Sequence, residues 1–593
     1  MMLRVGFDLE SDGLLDQLTK LHCIGLCDLD NPSAKVIMYD TPSGIEEALR
    51  TLMNATEIMG HNIIAFDIPA IQKVYPWFTP KGTVTDTLVL SRLVCADLKN
   101  DDYVSVALPE DFKKSMHGSH SLKAWGMRLG QHKGEIDAGD WSKWTQEMSD
   151  YCAQDVFVTC FLYRYLIEKA EGFSDKSIKL EHELAEICYR VGNAGWTFDV
   201  EAAEKLYAKL SGLRIDIEKN LATLFEPWEI HTEFIPKVNN KTRGYVKGEP
   251  FTKVKVIHFN PNSRQHIAFC LQKKYKWKPA EYTPSGEPKI DETVLSALPY
   301  EEAQTLAEFF LIQKRIAQLA EGSQAWLKNV DNDGRLRHTI VSGGTVSGRA
   351  SHRNPNLGQV VGNNAPYGKQ MRALFMPPKG WTLVGTDLDQ LELRCLAHYL
   401  PDDGEYAKQI EQGDIHQYNA DATGLSRSEA KRFIYSLIYG GGNKLIGSIV
   451  GGGMGEGARL KKEFNKNVPA YRLLQEQLVD AFQRGYLLGL DGRKLYVRAQ
   501  HKLLSQLLQS AGAILAKQWL ALADQRLRQE KLDSYIVGWI HDELQTCCPT
   551  EEEAKYVGHI LEELSEQVGK NCGIEKVCIS SQSQLGEHWG ATH

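Results

Sequence analysis

The sequence predicts a multidomain chain, an α/β domain followed by helix-rich α+β domains. Three observations predict it. Strand-like and helix-like runs alternate from the N-terminus to about residue 170, as in a domain built on a mixed sheet. From Lys176 the pattern turns helical, with long amphipathic stretches. Further on, two strand runs, WTLVGTD and SYIVGWIHDELQTCC, flank a helix-rich stretch from about 401 to 530. A length of 593 residues fits about three to five domains.

In order along the chain, RVGFDLESDG alternates Val5, Phe7 and Leu9 with Gly6, Asp8 and Glu10. That period of two is a strand, and it sets Asp8 and Glu10 on one face. HCIGLCDL and AKVIMYD read as further strands, and HNIIAFD brings Asp67 in after a turn. MSDYCAQDVFVTCFL is helical, with Tyr151 and Asp155 four apart and so on one face. LEHELAEICYRVGNAGW is a helix closed by Gly195, and VEAAEKLYAKLSGLRIDIEKNLATLF is a longer one. Residues 227–258 break the periodicity with Pro and Gly and carry an excess of Lys and Arg. They predict a flexible basic loop without a core of its own. Helices resume after Asn260-Pro261, with Asn262 or Ser263 as the cap.

The composition is that of a globular protein, 42% hydrophobic and 24% charged, and excludes a fibrous or disordered chain. No apolar run approaches a membrane span, and acids within the first ten residues speak against a signal peptide. Twelve cysteines without a CxxC pair read as reduced thiols of a cytoplasmic protein, not as a zinc site. The net charge of −8 argues mildly against a nucleic-acid partner, but it says nothing of local patches.

Two sets of side chains carry chemistry. Asp8, Glu10, Asp67 and Asp155 repel one another if they converge, unless hard divalent cations bind them through oxygen. Two such ions activate water and stabilise a leaving oxygen, and Tyr151 would orient that water. In the second set, Asp387 ends the strand WTLVGTD, and Asp542 sits with His541 and Glu543 in the turn of an apolar hairpin. Two acids from separate strands suit a shared pair of magnesium ions, whereas one buried acid alone would be costly. Between them, Arg427, Lys431, Tyr435 and Tyr439 form a helical stripe, with Phe433, Ile434, Leu437 and Ile438 on the other side. Cations and an aromatic ring on one face suit a nucleoside triphosphate. Taken alone, the stripe also fits an amphipathic helix with two surface cations.

The spaced set resembles family A DNA polymerases, the DNA polymerase I type. DLDQLELR (Asp387 to Arg394), RSEAKRFIYSLIYG (Arg427 to Gly440) and HDE (541–543) match the three polymerase motifs. SGRASHRNPNLGQV, LLQSAGAIL and GEHWGATH match accessory ones. The N-terminal acids with Tyr151 resemble the family's proofreading 3′–5′ exonucleases. GSHSLKAWGMRLG, FNPNSRQHI and LDGRK resemble the replicative polymerases of short-tailed bacteriophages, as does the lack of room before Asp8 for a 5′-nuclease domain.

The resemblance implies an RNase H-like exonuclease domain at 1–170 and a right-hand polymerase. The thumb region would be 171–340, with the basic insertion at 227–258. The palm would be 341–400 and 506–593, and the fingers 401–505. It implies Mg²⁺, two per active site with Mn²⁺ as a substitute, on Asp387, the Leu388 carbonyl and Asp542, and on Asp8, Glu10, Asp67 and Asp155. Arg427, Lys431 and His416 would contact the triphosphate, and Lys431 would protonate the leaving pyrophosphate. Glu392 would be the ribose gate, with Tyr435 beside the sugar and Tyr439 near the templating base. Arg349, Gln509 and His541 would contact DNA, and Glu543 would count with the catalytic residues. Ser505 stands where the family commonly has Asn. The implied partners are primer–template DNA, dNTPs, a thioredoxin-like processivity factor at 227–258 and a replisome helicase–primase, in a host-cell cytoplasm. Other readings are a repair or gap-filling polymerase, an exonuclease with an inactive polymerase half, and a non-catalytic nucleic-acid-binding protein.

Overall fold

The computed structural model describes residues 3–31, 33–105, 107–134 and 140–593. They pack as two units, the chain up to Thr197 together with Arg337–His593, and Phe198–Leu336. The second is narrower than the 171–340 expected for a separate region, because the helix after residue 174 packs in the first unit.

In the first unit an N-terminal sheet has the order β3-β2-β1-β4-β5, from β1 (Arg4–Ser11), β2 (Leu21–Asp28), β3 (Ile37–Tyr39), β4 (Glu57–Gly60) and β5 (Thr83–Asp86). β1 runs antiparallel to β2 and parallel to β4, so the sheet is mixed, as expected. Val5 and Phe7 are fully buried, which turns Asp8 and Glu10 to the opposite face. Helix α1 (Asp67–Val74) follows a turn in which Asn62 takes φ 67°. Helix α2 (Gln146–Lys169), N-capped by Thr145, packs on β1 and β2. Helix α3 (Asp175–Ala194) ends at Gly195, whose φ of 65° suits glycine.

The second unit is built on α4 (Val200–Leu224), α5 (Arg264–Tyr275), capped by Ser263, and α6 (Glu301–Ile316). Leu221, Phe225, Ile267, Leu271, Leu306 and Phe309 fill its core. The expected coreless loop at 227–258 is instead an antiparallel hairpin, β6 (Trp228–Phe234) with β7 (Phe251–Ile257), in unbroken register from Trp228↔Ile257 to Phe234↔Phe251. Phe234, Tyr245 and Phe251 pack edge to face at its tip, 4.7 to 6.0 Å between ring centres. This aromatic cluster is the core that the Pro and Gly punctuation hid.

The remainder of the first unit is organised on a four-stranded antiparallel sheet, order β9-β10-β8-β11, from β8 (Thr382–Leu388), β9 (Tyr535–Ile540), β10 (Glu543–Cys548) and β11 (Ser581–Gly586). Helix α7 (Leu391–Tyr399) follows β8. Helices α8 (Ile415–Thr423), α9 (Arg427–Ile438) and α10 (Leu503–Gln529) come next, and α11 (Glu551–Asn571) covers the sheet. Leu396, Trp519, Trp539 and Leu561 sit in the core between them.

Two parts of this unit are fastened directly to each other. Arg498 Nε donates to Asp97 at 2.9 Å, the Tyr496 hydroxyl donates to the Val94 carbonyl at 3.2 Å, and Lys494 reaches the Glu171 carbonyl at 2.5 Å. Beneath them a buried ion network joins Glu181 of α3, Arg493 and Lys517 of α10, with Arg493 2.7 Å from both Glu181 and Asp491. Burial alone would raise the Glu181 carboxyl, but Lys517 and Arg493 hold it down at about 2. No helix of the described residues is long and apolar enough to cross a membrane.

Candidate active sites

The first site is assembled by β1, α1 and α2. Oxygens of Asp8, Glu10 and Asp155 lie within 4.8 Å of one another. Asp67, the first residue of α1, is buried beside them. Burial, then Asp67 and Asp155, drive the Asp8 carboxyl far above its ordinary range. Burial and Asp155 push Glu10 up to about 8, and burial and Asp86 push Asp67 to about 8. The buried Asp155 Oδ1 has no hydrogen-bond partner, whereas Oδ2 takes the Lys133 ammonium at 2.5 Å. Lys133 also stands 4.8 Å from the centre of the Tyr151 ring. Crowded acids that resist ionisation, with one buried oxygen unsatisfied, fit a hard divalent cation.

Sequence reasoning missed two supports of this site. Asp86 accepts the backbone N–H groups of Asn62, Ile64 and Leu88 at 2.8 to 3.1 Å and so shapes the turn that delivers Asp67. Lys133 is the other. It lies in an aperiodic loop far from its partners in sequence, and nothing marked it.

The second site lies at the end of the antiparallel sheet. Asp387 stands opposite Glu543 in the β8–β10 ladder, and the Leu388 N–H donates to the Asp542 carbonyl at 3.1 Å. His541 takes φ 61°, which makes the two-residue turn that presents Asp542. Burial, then Asp542 and Glu543, raise Asp387 to about 8, and burial and Glu392 raise Asp542 to about 6. Asp387 and Asp542, two acids that resist ionisation at one sheet end, could hold divalent cations, although among the described residues only the first site brings three ligand oxygens within 4.8 Å of one another. Glu543 is already engaged: its carboxylate accepts from Trp589 Nε1 at 2.6 Å and Gln545 Nε2 at 2.5 Å, and lies 2.8 Å from His593. It is a buttress of the turn, held by the C-terminal residues of the chain.

The expected stripe of α9 reaches this crevice through Tyr435, which lies near Glu392 and Asp542. Phe433, Ile434, Leu437 and Ile438 are buried, whereas Arg427, Lys431 and Tyr439 are exposed. Arg427 pairs with Asp414 at 2.7 Å, and Lys431 forms no ion pair with another of the described residues. The buried His416 ring lies 6.4 Å from Tyr435, and its Nδ1 lacks a partner. Burial, Lys431 and Arg427 keep that imidazole below its ordinary pKa.

Glu392, in the first turn of α7, joins the two halves of the site. Its Oε1 accepts from Arg349 at 2.7 Å and from the Tyr439 hydroxyl at 2.5 Å. Arg349 is thus tied to the ribose-gate candidate in this state. Ser505 does not point outward: it donates to the Lys502 carbonyl at 3.1 Å and lies against Gly440. Gln509 is half-buried one turn further along α10.

The sequence profile described as DNA polymerase family A matches residues 238–591. The chain is 34% identical to the DNA-directed DNA polymerase of Enterobacteria phage T3, and 33% to that of Escherichia phage T7, over 99% of each chain. Its fold is similar to the POL domain of Pol1 from M. smegmatis, solved in complex with DNA primer-template and dNTP, with a TM-score of 0.73 at 17% identity. That likeness covers 99% of this chain and 96% of the other.

Proposed function

The chain belongs to DNA polymerase family A, and on that premise we propose that it is a template-directed, replicative DNA polymerase with a 3′–5′ proofreading exonuclease. One observation carries the reading: Asp387 and Asp542 meet at a sheet end reached by Tyr435 of a helix that also bears Arg427 and Lys431. Divalent cations, Mg²⁺ with Mn²⁺ as a substitute, would be held by Asp387, Asp542 and the Leu388 carbonyl, and by Asp8, Glu10, Asp67 and Asp155. When bound they supply an activated oxygen nucleophile and charge stabilisation of the leaving oxygen.

The protein's own groups do the rest. Arg427, Lys431 and His416 bind the triphosphate, and Lys431 donates a proton to the departing pyrophosphate. Glu392 walls off the 2′ position of the sugar, and Tyr435 lies beside it. Tyr439 packs near the templating base. Arg349, Gln509 and His541 bear on the DNA, where minor-groove acceptors common to all base pairs let geometry be tested without reading sequence. In the other site Tyr151 orients the attacking water. The β6–β7 hairpin serves processivity. Lys253 and Lys255 hold duplex phosphates, and the exposed Val254 and Val256 offer an apolar face that a protein partner would cover.

The test is a labelled primer–template incubated with and without dNTPs. Extension with dNTPs and shortening without them are expected. Asp8→Ala with Glu10→Ala should abolish only shortening, and Asp542→Ala only extension. A folded single-site variant that loses both activities would overturn the assignment of two separate sites.

A further inference from the structure

We propose that Lys133 is a positioning residue of the excision site. It is a built-in counter-charge that holds Asp155 and Tyr151 in place until a divalent cation enters; the inference rests on the exonuclease reading above. Its loop is tied at its start to the preceding helical turn and further on to the helix that bears both residues. Gln131 N–H donates to the Gly126 carbonyl at 2.8 Å, and the Gln154 side chain donates to the His132 carbonyl at 2.8 Å. A Cβ on Gly134 would come within 3.4 Å of the Tyr151 ring, so the backbone there lies against it.

From this anchorage the lysine points inward, with 22% of its side chain exposed. The groups facing it are Asp8 and Glu10 of β1, Tyr151 and Asp155 of α2, and the buried imidazole of His61. Its ammonium opposes their mutual repulsion at Asp8, Glu10 and Asp155 alike. A lysine that merely fastened the loop would not need to stand among three acids. The ammonium occupies one Asp155 oxygen and leaves the other bare. A divalent ion therefore finds one ligand atom free and one to be taken from Lys133.

Two consequences oppose each other, and this makes the idea testable. Without the ammonium, Asp155 is released to the metal, so metal binds more tightly. Without it, Tyr151 and Asp155 lose their register, so turnover falls. The experiment uses full-length Lys133→Met, Lys133→Gln and Lys133→Arg. Mn²⁺ binding is read from the free-ion electron paramagnetic resonance signal, with Asp387→Asn and Asp542→Asn present to silence the other site. Excision of single-stranded DNA is read as kcat in the chain with both sites intact, and thermal unfolding checks the fold.

Lys133→Met and Lys133→Gln should bind Mn²⁺ about threefold more tightly, as for one partly screened ion pair, and excise about ten- to a hundredfold more slowly. Lys133→Arg should restore most of the rate. Weaker Mn²⁺ binding together with slower excision would mark a loop fastener and overturn the proposal, as would unchanged binding and rate. A wild-type chain that extends primers but never excises would instead defeat the exonuclease reading, and the proposal with it.

Discussion

Replacing Glu392 by alanine strips Arg349 and Tyr439 of their shared acceptor. The residue is 9% exposed, with the Arg349 guanidinium at 2.7 Å and the Tyr439 hydroxyl at 2.5 Å from its carboxylate. If this side chain fills the space of a ribose 2′-hydroxyl, a ribonucleotide enters only by moving it aside. The cost of that movement is what ties the carboxylate down. One hydrogen bond to a charged group contributes ~1.5–3 kcal/mol, and ~1.4 kcal/mol is a factor of ten. Glu392→Ala should therefore lower discrimination against ribonucleotides by about ten- to a hundredfold. Glu392→Gln keeps the volume and an acceptor but not the charge, and should fall between. The assay is single-nucleotide primer extension, comparing kcat/KM for a ribonucleotide and its deoxy counterpart. An unchanged ratio in a chain that still extends would refute the reasoning. So would an equal loss for both sugars, which would mean that Glu392 serves only to hold Arg349.

Three further outcomes are expected. Tyr435→Phe should make the enzyme reject dideoxynucleotides, because the hydroxyl that can replace the missing 3′-hydroxyl bond is gone; a wild type that already rejects them in chain-termination assays would contradict this. Lys517→Met leaves the buried Glu181 short of a partner and should cost ~3 kcal/mol of stability in denaturant unfolding; an unchanged midpoint would mean that Arg493 alone suffices. With divalent ions chelated, Glu10, Asp67 and Asp387, raised to about 8, keep protons that the unfolded chain has lost. Stability should then fall as pH rises from 6.5 to 8, and Mg²⁺ should flatten the fall. Below that window the buried neutral His338 and His352 act in the opposite sense. A melting temperature that climbs with pH in chelator would exclude the acid clusters as the cause.

Asp8, Glu10 and the hairpin acids were legible because they broke a local pattern, whereas Asp67 and Asp155 gained weight only through the family resemblance. Asp8 and Glu10 interrupt a buried strand at period two, and His541, Asp542 and Glu543 interrupt an apolar hairpin. The stripe of α9 was legible for the same reason, since one face of a helix has a fixed spacing. What sequence hid depends on long-range closure. Lys133 meets Asp155 through a loop without periodicity. Asp86 acts through backbone N–H groups that any residue could supply. Trp589 and His593 reach Glu543 only once the chain's end has folded back. The hairpin at 227–258 did carry alternation in FTKVKVI, but its Pro and Gly residues outweighed that signal, and the three aromatic rings at its tip meet only once the two strands pair.

The clasp of Arg498 on Asp97, with Tyr496 on the Val94 carbonyl and Lys494 on the Glu171 carbonyl, fixes the spacing between the two acid centres. On the proposed reading the centres then stay where they are, and the travelling is done by the substrate. On that reading a primer end leaves one centre for the other after its last base pairs melt, and mispaired ends melt sooner. On the proposed reading, error correction is then timed by the fraying of the duplex, and the protein supplies a ruler of constant length against which that fraying is measured.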